Sequence, residues 1–164
     1  MRTLLLPVLC ALLSLPATTH AQARVSLAAD SSDAIAVFRD NIDAIHKRDR
    51  PRYLATYLQT DRLTRHGLRD IEMGWDGWSA RTQVGGWPDT LIVRELTVRP
   101  IAPGVVYGWY RYIGVNAGKA STGISMRTFL RTPSGMRIAV TASWPDTLPA
   151  PPVGRVSPAP RAER

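Results

Sequence analysis

Phe129-Leu130-Arg131-Thr132-Pro133-Ser134-Gly135-Met136-Arg137-Ile138 reads as two strands folded about a short turn. Pro133 presets its own φ, Ser134 favours turns, and Gly135 tolerates backbone angles that other residues resist. Working outward, Gly123–Thr132 and Met136–Trp144 are strand-like runs, and Leu91–Ile101 and Val105–Val115 precede them. Pro100, Ala102, Pro103 and Gly104 separate the first pair of runs, and Asn116-Ala117-Gly118 the second. Four strands joined by turns this short predict an antiparallel meander.

Upstream the period changes from two to that of a helix. Ile35, Phe38, Ile42 and Ile45 form one amphipathic stripe, with Ser31 or Ser32 as the expected N-cap. Asp49-Arg50-Pro51 restarts a helix, Pro51 suiting its first turn. On that second helix Tyr53/Tyr57 and Leu54/Leu58 are i, i+4 pairs. Leu63–His66 and Arg69–Met73 read as short strands about Gly67-Leu68, and a third helix starts near Trp75-Asp76 and carries Trp78. Helices first and a meander afterwards predict an α+β domain with helices on one sheet face. Trp87-Pro88-Asp89-Thr90-Leu91 recurs as Trp144-Pro145-Asp146-Thr147-Leu148, but the flanks differ, so no structural repeat is inferred.

The two ends read differently from this body. Met1-Arg2, the apolar run Leu4–Leu15 and the small residues of Ala21-Gln22-Ala23 have the form of a signal peptide, cut after Ala23. The run is shorter than the roughly 20 residues a membrane span needs. From Pro145 to Arg164 six of twenty residues are proline, and only Leu148, Val153 and Val156 are bulky and apolar. That segment cannot bury enough surface to offset its chain entropy, so 145–164 is expected to be a disordered tail. The expected organisation is a leader over 1–23, one domain over 24–144, and the tail. Localisation follows as exported, periplasmic or secreted. The sole cysteine, Cys10, lies in the leader, which leaves the mature chain without a thiol.

Lys+Arg exceed Asp+Glu by 21 to 13, a net +8. The excess does not make a nucleic-acid protein. Lys47, Arg48, Arg50 and Arg52 are the densest basic group, the other arginines are scattered singly, and export removes the usual nucleic-acid partner. Outside the leader the histidines are His46 and His66, too few for a histidine metal cage. Neither a phosphate-cradling glycine loop nor a nucleophile elbow is present. No cofactor and no metal are expected.

The order helix, Arg48-Asp49, short helix, Thr60-Asp61, hairpin ending at Gly74, third helix, and strands closing on Gly135-Met136-Arg137-Ile138 resembles the nuclear transport factor 2-like superfamily. The resemblance is nearest to its SnoaL-like and related secreted branch, and covers about Asp33 to Trp144. It implies a cone: a curved antiparallel sheet wrapped around three N-terminal helices, with a pocket at one end and dimerisation through the outer sheet face. The isomerase-like members carry a carboxylate base and two acidic donors in the pocket; here those positions fall on His66, Asn41 and Arg127, so that set is not preserved. The Arg-Asp constellation of the epoxide-hydrolase-like members is missing as well, because Ile113 stands two positions after Arg111.

What remains is an aromatic and polar lining: Tyr53, Tyr57, His66, Trp78, Tyr112 and Arg127. For the rings the competing reading is core packing, and for His66 a surface turn position beside Gly67. If a reaction occurs, His66 is the base available near neutral pH. The reading favours a binding or structural module over a SnoaL-like isomerase, cyclase or hydrolase. Its expected partner is a small molecule with an apolar body and an anionic or carbonyl oxygen, met by Arg127.

Overall fold

The computed structural model describes residues 17–67 and 70–146, with side chains from residue 26 onward. The elements follow in the order α1 (Ala17–Lys47), α2 (Arg50–Ala55), β1 (Thr64–His66), β2 (Ile71–Met73), α3 (Trp75–Val84), β3 (Thr90–Ala102), β4 (Val105–Asn116), β5 (Lys119–Thr132) and β6 (Gly135–Pro145). They build one six-stranded sheet of order β2-β1-β6-β5-β4-β3, packed against α1, which in turn packs against α2. Among the described residues no helix is long and apolar enough to cross a membrane.

The hydrophobic pattern dictates most of this. Phe38, Ile42 and Ile45 of α1 are buried against Val106 and Tyr110 of β4, Phe129 of β5, and Met136 and Ile138 of β6. Along β5 every second residue from Gly123 to Phe129 is buried, which makes one face of the sheet the core wall. Asp49 caps α2 by accepting a hydrogen bond from the Arg52 amide at 3.1 Å, and Pro51 follows in the first turn. Gly74 and Gly104 take the positive φ angles, +88° and +75°, that a side chain would resist.

Three expectations need correction. Ser31 does not start the first helix; it lies inside α1, and its Oγ donates to the Leu27 carbonyl at 3.0 Å, one turn back. The buried stripe is also rotated, with Ala34 and the polar Asn41 fully enclosed while Ile35 is only half-buried. The sheet, finally, is not wholly antiparallel. β3 to β6 form the expected meander, but β1 pairs with β6 in parallel, Thr64 against Val140 and His66 against Ala142. The turn after α2 prepares this pairing: Leu58 N donates to Ile138 O at 2.8 Å, and Ile138 N donates to Thr56 O at 2.9 Å. Of the two ends set apart by sequence, residues 1–16 and 147–164 lie outside the described residues; α1 runs through Ala21–Ala23, and Pro145 belongs to β6.

α1 is locked onto the sheet by charge as well as by apolar contact. Arg131 of β5 reaches Asp30 and Asp33 of α1, each at 2.6 Å, and Asp30 also accepts the Gly104 amide at 2.6 Å. At the other end of α1, Arg52 joins Asp40 and Asp43, and Lys47 reaches Asp43 at 2.9 Å.

Candidate functional site

Arg127 occupies the interior of the sheet's concave wall. Strand alternation sends it inward between Ser125 and Phe129, and its residue is only 5% exposed. Its Nη1 donates to Asn41 Oδ1 at 2.8 Å and to Tyr57 Oη at 3.4 Å, and Nη2 donates to Tyr110 Oη at 2.8 Å. The guanidinium carbon lies 5.5–6.0 Å from the centroids of the Phe38, Tyr57 and Tyr110 rings. Among the described residues no carboxylate pairs with it, and its buried Nε finds no acceptor. Burial works against the charge, yet the phenolic oxygens of Tyr110, Tyr57 and Tyr53 and the Tyr110 hydrogen bond hold the proton more firmly than water does. The result is an interior cation neutralised by nothing of full opposite charge.

Outside this cluster lies a cleft of about 390 Å³, the size of a small-molecule site. Tyr53, Trp78, Trp87 and Pro88 line it, together with the charged Arg65, Glu72 and Arg81. The rings pack as a set: Tyr53 lies 6.1 Å from Trp78 and 5.3 Å from Trp87, the latter edge-on. Tyr53 joins the two regions, because its ring faces the cleft while its hydroxyl shares a 2.9 Å hydrogen bond with that of Tyr57. Burial pushes the Tyr53 phenol well above the ordinary tyrosine range, reinforced by Tyr57 and opposed by Arg127, so it stays a neutral donor. Among the charged residues Glu72 is nearly enclosed and pairs with both arginines, Arg65 at 2.9 Å and Arg81.

The six residues singled out by sequence therefore separate. Tyr53 and Trp78 line the cleft; Tyr57 and Arg127 lie behind them in the core. Tyr112 is half-buried beside Tyr110, at 6.3 Å between ring centroids, and its ring lies over Gly123; burial raises its phenol pKa. His66 is not in the cleft. The alternation of β1 gives the cleft Arg65 and leaves the neighbouring His66, the candidate base, exposed outside it. The other histidine, His46, is engaged with the Leu91 carbonyl at 2.7 Å. Among the described residues no group of three His, Cys, Asp or Glu is placed to hold a metal ion.

Sequence reasoning missed Arg50, Arg65, Glu72, Arg81 and Trp87. In the sequence Arg50 reads as one of the basic group Lys47, Arg48, Arg50 and Arg52. A signal did exist for Arg65 and Glu72: they are cross-strand partners on one face of the β1–β2 hairpin. Arg81 and Trp87 carried no comparable signal, because they reach the cleft through the path of the chain after α3.

Comparison with family models finds no match, and no curated protein matches the sequence. Solved structures do match. A cystatin-like fold protein from Burkholderia xenovorans aligns with 73% of this chain and 94% of its own at 16% identity, with a TM-score of 0.64. A nuclear transport factor 2-like protein of unknown function from Pseudomonas putida covers 71% and 86% at 14% identity, TM-score 0.61. A nuclear transport factor 2-like protein with a cystatin-like fold from Novosphingobium aromaticivorans covers 79% and 90% at 14% identity, TM-score 0.60.

Proposed function

We propose, from the premise that this chain has the nuclear transport factor 2-like, cystatin-like fold, that it is an exported domain binding a small molecule. The molecule has an apolar, ring-bearing body and an anionic or carbonyl oxygen. The fold hosts unrelated activities, so the proposal rests on the site. One observation carries it: Arg127 keeps its charge in the interior with only neutral oxygens and rings around it. An unpaired buried charge is costly, and an oxygen anion supplied by a ligand offsets that cost. The cleft offers the route, since the ligand's rings find Trp78 and Trp87 and its oxygen displaces the Tyr53–Tyr57 contact to reach the guanidinium. Asn41, Tyr57 and Tyr110 hold that guanidinium in a fixed plane, which favours a planar acceptor such as a carboxylate.

The carboxylate that lines the cleft, Glu72, is engaged by both Arg65 and Arg81, which favours a binding role over proton transfer. The SnoaL-like resemblance is consistent with such a pocket, and it also carries association of two copies through the outer sheet face, which sedimentation velocity would detect. Export rests on the leader-like first 23 residues. Among the described side chains of α1, the first tied to the sheet is Asp30.

The test is calorimetric titration with 2-naphthoate. Arg127→Met, which keeps approximate volume and deletes the charge, is expected to weaken binding by about 1.5–3 kcal/mol, the worth of a charged hydrogen bond. Unchanged affinity in a variant with native circular dichroism would overturn the reading.

A further inference from the structure

The charges at the cleft are unevenly matched. Arg65 and Arg81 share Glu72, and Arg81 also lies 3.9 Å from Asp70. Arg50 has no such partner: among the described residues no carboxylate pairs with it. Its Nη1 donates to the Gln83 carbonyl and its Nη2 to the Gly85 carbonyl at 2.6 Å, both neutral groups at the end of α3. Its guanidinium carbon lies 5.1 Å from the centroid of the Trp87 ring. Two carbonyls and one indole thus fix the plane of a cation that lines the cleft. A guanidinium has five N–H groups, so each terminal nitrogen keeps one N–H beyond those given to the carbonyls, and Nε has no acceptor at all.

We propose that Arg50 is a second anion receptor, at the mouth of the cleft, and that the ligand carries an acidic group on its outer end in addition to the oxygen directed at Arg127. The inference rests on the cleft being the ligand site, as above. A planar cation held flat beside Trp87 suits a planar acid whose ring continues across the indole. The alternative is a purely structural clamp that ties α2 to the segment 83–87. A clamp changes stability; it does not discriminate between ligands by their charge.

The experiment compares 2-naphthoate with 2,6-naphthalenedicarboxylate on the full chain. The diacid is expected to bind at least tenfold more tightly, and Arg50→Gln, which retains a side-chain donor for the carbonyls, is expected to abolish that advantage, so that the two acids bind the variant within twofold of each other. The Arg50 Nε–H proton resonance of the unaltered protein supplies a second readout that needs no variant, and it is expected to move on adding the diacid. If 2-naphthoate binds through Arg127 but the diacid gains nothing and the Arg50 resonance stays put, the inference falls and the binding reading survives. If neither acid binds the unaltered protein at millimolar concentration, both fall.

Discussion

Asp30 sits in a helix whose neighbouring residues are largely solvated, yet it is 1% exposed. One carboxylate oxygen accepts the Gly104 amide and the other accepts from Arg131 Nε at 2.7 Å. The Gly104 hydrogen bond, with smaller help from Arg131 and against the cost of burial, holds the Asp30 pKa below its ordinary value of 3.8. Because the folded value is the lower one, the unfolded chain binds the proton more readily. The stabilisation is therefore complete above the ordinary carboxylate range, and it is lost as pH falls through the folded value. Asp30→Asn is expected to lower Tm by several degrees at pH 7 and to flatten the acid limb of a Tm-against-pH curve. A variant whose acid limb matches the parent's would show that Asp30 does not govern it. Nothing in the sequence marked this residue, because its partners lie on the β3–β4 turn and on β5, far along the chain.

The strands were the most legible elements, and the reason is physical. β5 and the first half of β4 have alternating residues buried on one side, and Gly, Pro or Asn turns separate the strands of the meander, so period and punctuation agree. The start of α1 was not legible, since Ser31 has the chemistry of a cap and only the preceding turn decides that it is not one. Nor was the cleft, whose members come from α2, β1, β2, α3 and the run into β3 and meet only after folding. Alternation does carry one finer consequence within the β4–β5 pair. Tyr112 and Gly123 are cross-strand partners, and a Cβ on Gly123 would overlap the Tyr112 ring. Gly123→Ala is expected to cost about 1–3 kcal/mol through overpacking. Combining it with Tyr112→Leu should cost less than the sum of the two changes, as a double-mutant cycle by chemical denaturation would show. Strict additivity would mean that the ring is free to swing away.

At the scale of the whole molecule, the positive charge is distributed by function as well as by number. Arg131 and Arg52 tie α1 to the sheet and to α2, Arg65 and Arg81 pair with Glu72 at the cleft, and Arg127 and Arg50 are held by neutral groups. These six arginines serve internal bracing and one cleft. Exported protein is expected to begin at Arg24, a cut that leaves Asp30 and its hydrogen bonds to the sheet in place. Amino-terminal sequencing reads this directly, and Met1 retained on exported protein would contradict it.

The parallel pairing of β1 with β6 also sets an order of assembly. The β3–β6 meander closes through neighbouring turns, whereas Thr64 must meet Val140 across nearly the whole domain. Closing so long a loop costs entropy that is recovered only after β6 is in place to receive the strand. Arg65 and Glu72 ride on that hairpin. The charged side of the cleft therefore depends on β6, the last strand of the meander, being in place to receive β1, so a change that loosens β6 is expected to open the cleft as well.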